Sequence, residues 1–176
     1  MELKKLEAHI IDSVQEAHAK LGFDCAPMTQ NYTLSTLNGI LGTKMTNSEM
    51  NSCLEGFCEE LSQKIGLVKL SSKGDVFCIT LSPEARKYVR DNTKISDFLA
   101  EFISAVGARQ PVDSILGIFR KYSDRAHIEQ VENDEFDYLA YFEDGIPDEY
   151  YYCLTVEGPM VSYHRFRRED YMAFGF

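Results

Sequence analysis

An α+β fold is predicted for this 176-residue chain on three observations. Thr46 to Leu81 reads as a capped amphipathic helix followed by two short strands, the closing arrangement of a winged helix. After Ser123-Asp124 the apolar period changes from three-and-four to two, so a sheet follows helices. Residues 1–94 carry 11 Lys+Arg and 12 Asp+Glu, residues 95–176 carry 7 and 16, and eight of the ten tyrosines follow Lys121. The two halves therefore differ in kind. The expected organisation is a winged-helix-like domain over 1–92, then two helices and an antiparallel β-meander over 93–176.

Leu3, Leu6, Ile10, Val14, Ala17 and Leu21 fall on one face of a helix over 3–21, and Gly22 stops it. A loop with Asp24 and Pro27 leads to an extended Asn31-Tyr32-Thr33. A short helix over 34–41 turns Leu34, Leu37, Ile40 and Leu41 inward and ends at Gly42. Thr46-Asn47-Ser48-Glu49 has the capping-box form, in which Thr46 and Glu49 satisfy each other's backbone amides. Met50, Cys53, Leu54, Phe57 and Leu61 form the buried stripe of that helix, to about Lys64. Gly56 within it costs about 1 kcal/mol relative to Ala, and suggests a close neighbour or a kink.

Leu67–Leu70 and Val76–Leu81 are strands rich in β-branched and aromatic residues. Gly74 supplies a positive φ at their turn. Ser82-Pro83-Glu84 starts a helix that runs to about Arg90: an N-cap, a first-turn proline and an acid at the positive dipole end. Asp91-Asn92-Thr93 is the expected linker. Ile95, Phe98, Leu99, Phe102, Ile103 and Val106 share a face of a helix near 95–108. Val112, Ile115, Leu116 and Phe119 do so over 112–122. Strands are expected near 127–132, 136–142, 150–157 and 160–166, with Asn133-Asp134 at one turn. A short helix over 168–173 and an apolar tail, Phe174-Gly175-Phe176, close the chain.

Composition narrows the function classes. With 44% apolar and 26% charged residues the chain has matter for a real core. No run of 18 apolar residues occurs, so no membrane span is expected. The N-terminus enters helical periodicity without an apolar signal region, which points to the cytoplasm. Five scattered cysteines (Cys25, Cys53, Cys58, Cys78, Cys153) without a C-x-x-C pair read as reduced, mostly buried thiols.

The blocks Leu6-Glu7, Ile10-Ile11-Asp12, Lys20-Leu21-Gly22-Phe23 and Leu34-Ser35-Thr36-Leu37-Asn38 resemble the start of a family of small, functionally uncharacterised bacterial proteins. Tyr141-Phe142-Glu143-Asp144-Gly145, Tyr152-Cys153, Tyr163-His164-Arg165-Phe166 and Glu169-Asp170-Tyr171 resemble its later part. The resemblance covers most of the chain and implies a bacterial, cytosolic origin. It brings with it no activity, cofactor or catalytic residue.

Three functional readings follow from the residues. The leading one is a non-enzymatic interaction or adaptor module. Its partner would be a protein, basic in character, drawn by the field of nine acids between Glu129 and Glu149, a stretch without Lys or Arg. The candidate surface is the tyrosine-rich sheet, with Tyr138, Tyr141, Tyr150, Tyr151, Tyr152, Tyr163 and Arg165, residue types enriched at hot spots, or the acidic helix over 47–64, or both. The bland reading is that these tyrosines make cross-strand pairs.

The second reading is a DNA-binding regulator working through Lys69 and Lys73 on the wing and Arg86, Lys87 and Arg90 on the next helix. It fits poorly. The helix that would enter the major groove carries Glu49, Glu55, Glu59 and Glu60 against Lys64 alone, under dense phosphate charge. The third is a small enzyme centred on His164, beside Arg165, Arg167 and Arg168, with Glu169 and Asp170 just beyond. A hard-cation site at Glu143, Asp144, Asp148 and Glu149 lacks EF-hand spacing. The three arginines are more simply partners of the chain's own acids. No cofactor motif is present.

Overall fold

In the computed structural model, residues 2–22, 26–132 and 135–174 are described. The expected loop residue Asp24, Cys25, the Asn133-Asp134 turn and the Gly175-Phe176 end of the tail lie outside them. The chain is a mixed α+β protein, with seven helices and two antiparallel sheets among the described residues. It divides into two compact units, Met1–Ile95 and Ser96–Phe176. No described helix is long and apolar enough to cross a membrane.

The first unit runs α1 (Leu3–Leu21), β1 (Met28–Thr33), α2 (Leu34–Leu41), α3 (Asn47–Ile65), β2 (Val68–Lys73), β3 (Val76–Leu81) and α4 (Pro83–Asn92). Its sheet has the order β1-β3-β2, with both pairings antiparallel. Leu6, Ile10 and Val14 of α1, Leu37 and Leu41 of α2, and Met50, Leu54 and Leu61 of α3 are buried with Phe77, Ile79 and Leu81 of β3 in one core. This follows the predicted stripe over one face of the sheet, except at the end of α1, where Leu21 is 83% exposed because the helix runs past the core.

Polar side chains set the junctions. The Asn38 carboxamide accepts from the Thr43 hydroxyl and the Met45 amide and donates to the Met45 carbonyl, at 2.7, 2.8 and 3.0 Å. It thereby fixes the turn into α3. The capping box at Thr46 and Glu49 forms as its sequence requires. Gln30, buried on β1, donates to the Ile10 carbonyl and accepts from the Tyr32 hydroxyl. Ser82 caps α4, with Pro83 in its first turn. That helix continues through the expected linker to Asn92 and is closed at Thr93, whose hydroxyl accepts from Gln15 at 2.8 Å.

The second unit runs α5 (Asp97–Gly107), α6 (Val112–Tyr122), β4 (Ala126–Gln130), β5 (Tyr138–Phe142), β6 (Tyr150–Glu157), β7 (Met160–Arg167) and α7 (Arg168–Phe174). The sheet order β4-β5-β6-β7 is the expected meander. Helix α5 starts two residues later than periodicity alone predicts, because Ser96 caps it by accepting from the Leu99 amide. Phe98, Phe102 and Phe119 meet Phe142 and Tyr152 edge-on or tilted, at centroid distances of 4.9 to 5.7 Å. This aromatic layer joins the helices to one face of the sheet.

Gly56 corrects one expectation. It is exposed, and a Cβ there would meet nothing within 4 Å, so neither a close neighbour nor a contact demands glycine. Gly66 is the opposite case. Its φ is +105°, and a Cβ would lie 3.2 Å from the Ala85 backbone nitrogen. Gly56→Ala is expected to raise unfolding stability by about 0.5–1 kcal/mol through helix propensity. Gly66→Ala is expected to lower it by about 1–3 kcal/mol through backbone strain. Urea unfolding of the two variants checks both signs.

Candidate functional site

The tyrosine surface expected from strand alternation is an interior one. Tyr150, Tyr151 and Tyr152 are buried, and Tyr138, Tyr141 and Tyr163 are half-buried. The reason is that elements cover both faces of the second sheet. Tyr152 is 0% exposed beneath α5 and α6. On the other face Tyr141 stacks on Tyr151 at 4.2 Å and on His127 at 4.7 Å, and Tyr171 of α7 lies 5.0 Å from Tyr151. Burial, with Tyr151 and Glu143 adding to it, pushes the Tyr141 phenol above its ordinary range.

Arg165 belongs to the same interior. Its guanidinium lies 4.0 Å from the centroid of the Tyr150 ring and donates to Asp148 Oδ2 at 3.1 Å, with side chains 3% and 6% exposed. The Tyr152 hydroxyl donates to the same oxygen at 3.0 Å, and the Tyr150 amide to Oδ1 at 2.8 Å. Arg167 approaches Glu149 at 3.5 Å. Two of the three arginines thus answer acids of the 129–149 stretch, as their sequence context suggests. These contacts also engage two of the four acids considered for a cation. Asp144 accepts from the Ile146 amide at 3.2 Å. Among the described residues, no three His, Cys, Asp or Glu converge as metal ligands would.

His164 sits opposite Cys153 in the β6–β7 register and is exposed. Its near neighbour is the Phe166 ring, 6.2 Å away centre to centre. Among the described residues no carboxylate forms an ion pair with it; the side chain of Glu169 lies outside them.

The basic residues considered for DNA divide into two groups. Arg86 is 5% exposed, because its side chain turns inward to donate to the Ala26 carbonyl. Lys87 and Arg90 are exposed but meet Asp91 at 3.0 and 2.7 Å. Those two cations hold the Asp91 carboxyl down to about 2, Arg90 more than Lys87. Lys64 pairs with Glu7 at 3.1 Å. Lys69 and Lys73 remain exposed on the hairpin. Gly74 at φ +63° opens its two-residue turn.

A different surface of the first unit carries an open groove. Helix α3 lies along the edge strand β2 and is tied to it at both ends. At one end the Ser62 hydroxyl accepts from the Val68 amide at 2.9 Å and shares its hydrogen between the Cys58 and Val68 carbonyls, at 2.6 and 3.2 Å. At the other, the Ser72 hydroxyl donates to Asn51 Oδ1 at 3.1 Å. Between these ties is an open groove of about 510 Å³, lined by Glu55, Cys58, Glu59, Ser62, Leu67 and Leu70 among others.

Leu67 is 53% exposed and also borders a second, more apolar cleft of about 310 Å³ beside Pro27, Lys69 and Pro83. Glu55 and Glu59 stand one helical turn apart, a like-charge pair that costs an isolated helix about 0.2–0.5 kcal/mol. Glu55 accepts from Asn51 at 2.7 Å, a neutral partner that leaves this charge uncancelled. An apolar side chain beside unneutralised carboxylates can bind a group that is itself cationic and apolar.

Sequence reasoning identified the acidic helix and missed the groove. One signal was available. In period two, Leu67 falls on the side of Lys69, opposite Val68 and Leu70, which marks it as an apolar residue turned away from the core.

A family model described as "Domain of unknown function, E. rectale Gene description (DUF3877)" matches residues 3–175. No curated protein and no solved structure matches the chain.

The interior charge pair has a measurable consequence. Asp148→Asn leaves a guanidinium buried without its counter-charge, and is expected to cost about 3–5 kcal/mol in urea unfolding. Asp148→Leu with Arg165→Met, which removes both charges, is expected to recover most of that loss. Burial also pushes the Cys58 thiol up to about 11 and, with Glu135 adding to it, Cys153 up to about 12. Mass spectrometry after iodoacetamide at pH 8 is expected to find both unmodified in the folded protein and alkylated in urea.

Proposed function

The chain belongs to the DUF3877 family, a domain of unknown function named from the bacterium E. rectale, and on that premise we propose that it is a non-enzymatic protein-binding module of the cytoplasm. Its first unit is read as winged-helix-like. The order α1-β1-α2-α3-β2-β3 and the sheet order β1-β3-β2 support that reading. The hairpin β2–β3 then takes the place of the wing, and α3 the place of the helix that reads DNA in nucleic-acid-binding relatives of that architecture.

One observation carries the choice of a protein over DNA. Glu49, Glu55, Glu59 and Glu60 are all exposed on α3, whereas the cation of that helix, Lys64, meets Glu7. A duplex would bring phosphates against four carboxylates. Of the five basic residues considered for DNA, Arg86 is buried and Lys87 and Arg90 face Asp91. Two lysines on the hairpin do not offset that field. The contact surface proposed is therefore α3 with the neighbouring edge of β2. The tyrosines of the second unit serve its core instead.

Affinity capture from the native cytosol with the full chain tests this reading, alongside duplex-DNA mobility shifts at low and moderate salt. A captured protein partner lost on Glu55→Lys with Glu59→Lys, and no salt-dependent DNA shift, is the expected result. A DNA shift abolished by Lys69→Glu with Lys73→Glu would overturn it.

A further inference from the structure

We propose that the groove between α3 and β2 receives an extended segment of a partner protein bearing two lysines or arginines at alternate positions and an apolar residue at one end. This rests on the protein-binding reading above and adds the chemistry of the partner.

The main chain of β2 supplies the first argument. The two-residue turn at Gly74-Asp75 is closed by the pair Lys73 and Val76. In an antiparallel hairpin of this kind, hydrogen-bonded and non-hydrogen-bonded pairs alternate from the turn. Lys73, Ser71 and Lys69 therefore turn their amides and carbonyls toward β3. Ser72, Leu70 and Val68 turn theirs to the outer edge. The contacts of Ser62 agree with this parity, since its hydroxyl meets both the amide and the carbonyl of Val68. Ser62 thus stands in for a strand neighbour at one position. Two residues on, Leu70 lines the groove and presents its N–H and C=O to it. One residue of an extended chain, with its own amide and carbonyl, matches that pair.

The walls supply the second argument. Glu55 and Glu59 are separated by about 6 Å along the axis of α3. Alternate side chains of an extended segment recur at about 6.6–6.8 Å. Cations at positions i and i+2 therefore meet the two carboxylates in register, and relieve the repulsion between them. Leu67, exposed where the two clefts meet, receives the apolar end. Binding would remove it from water.

Titration of the full-length protein with a fluorescein-labelled Lys-Val-Lys-Val-Leu peptide, read by anisotropy and by amide chemical shifts, tests the proposal. Leu67→Ser, which leaves the net charge unchanged, and Glu55→Gln with Glu59→Gln are each expected to weaken binding about ten-fold or more. The same Glu→Gln changes at Glu2 and Glu16, acids of the first unit that pair with Lys5 and Lys20 and do not line the groove, are expected to leave it within about two-fold. N-methylation of the central valine-side amide is expected to abolish the Leu70 amide shift.

Equal loss from the Glu2 and Glu16 changes would show general attraction to an acidic protein, and the proposal would fall. Binding indifferent to Leu67→Ser would sink it too, as would a dimer in sedimentation that Leu67→Ser dissociates, since a second copy would then occupy the groove. A cytosolic partner that survives the Glu55 and Glu59 changes would remove this groove while leaving the protein-binding reading intact.

Discussion

A single hydroxyl, that of Ser62, ties helix α3 to the edge strand β2 in the first unit. An edge strand exposes alternate amides and carbonyls, and a chain must cover or blunt them. Here α3 does the covering, and Ser62 touches both outward groups of Val68. Because the hydroxyl also meets the Cys58 carbonyl, one turn earlier, the helix cannot slide along the strand without losing contacts on both sides. The spacing of α3 from β2 follows from that tie and from the Ser72–Asn51 bond at the far end. Between the two, helix and strand stand apart, and the space left is the groove.

The charge on α3 acquires its meaning from that placement. Four carboxylates on a solvated helix are ordinary. Two of them, Glu55 and Glu59, line a groove together with exposed Leu67. Meanwhile the cations near α3 and α4 are directed to the chain's own acids or carbonyls. Lys64 meets Glu7, Lys87 and Arg90 meet Asp91, and Arg86 meets Ala26. Lys69 and Lys73 of the hairpin stay exposed.

The second unit solves a different problem. Its sheet is lined on both faces by aromatic rings, and it brings a guanidinium into that interior. A buried cation is tolerated only with a counter-charge and hydrogen bonds. Asp148 provides the charge, and its remaining lone pairs are taken by the Tyr152 hydroxyl and the Tyr150 amide. The aromatic and charged residues that look like a recognition surface in one dimension are the unit's internal scaffold. Tyr171 of α7 completes it from the outer face.

Periodicity, caps and turn residues were enough to place all seven helices and all seven strands of the described chain, to within a few residues at their ends. They are local signals, set by 3.6- and 2-residue repeats and by the backbone groups a helix end must satisfy, so Thr46-Glu49, Ser82-Pro83 and Gly74 could be read directly. Ser96, the cap of α5, obeys the same rule. What no local signal carries is which face of a sheet is covered from outside the strand. Alternation sorted Tyr150 and Tyr152 from Tyr151, but α5, α6 and α7 decided that both sets are interior. In the same way, sequence alone determined that α3 is acidic and amphipathic, whereas the packing of α3 on β2 decided that Glu55 and Glu59 share a groove with Leu67. Their proximity depends on contacts between separate elements, and a one-dimensional pattern records only spacing along the chain.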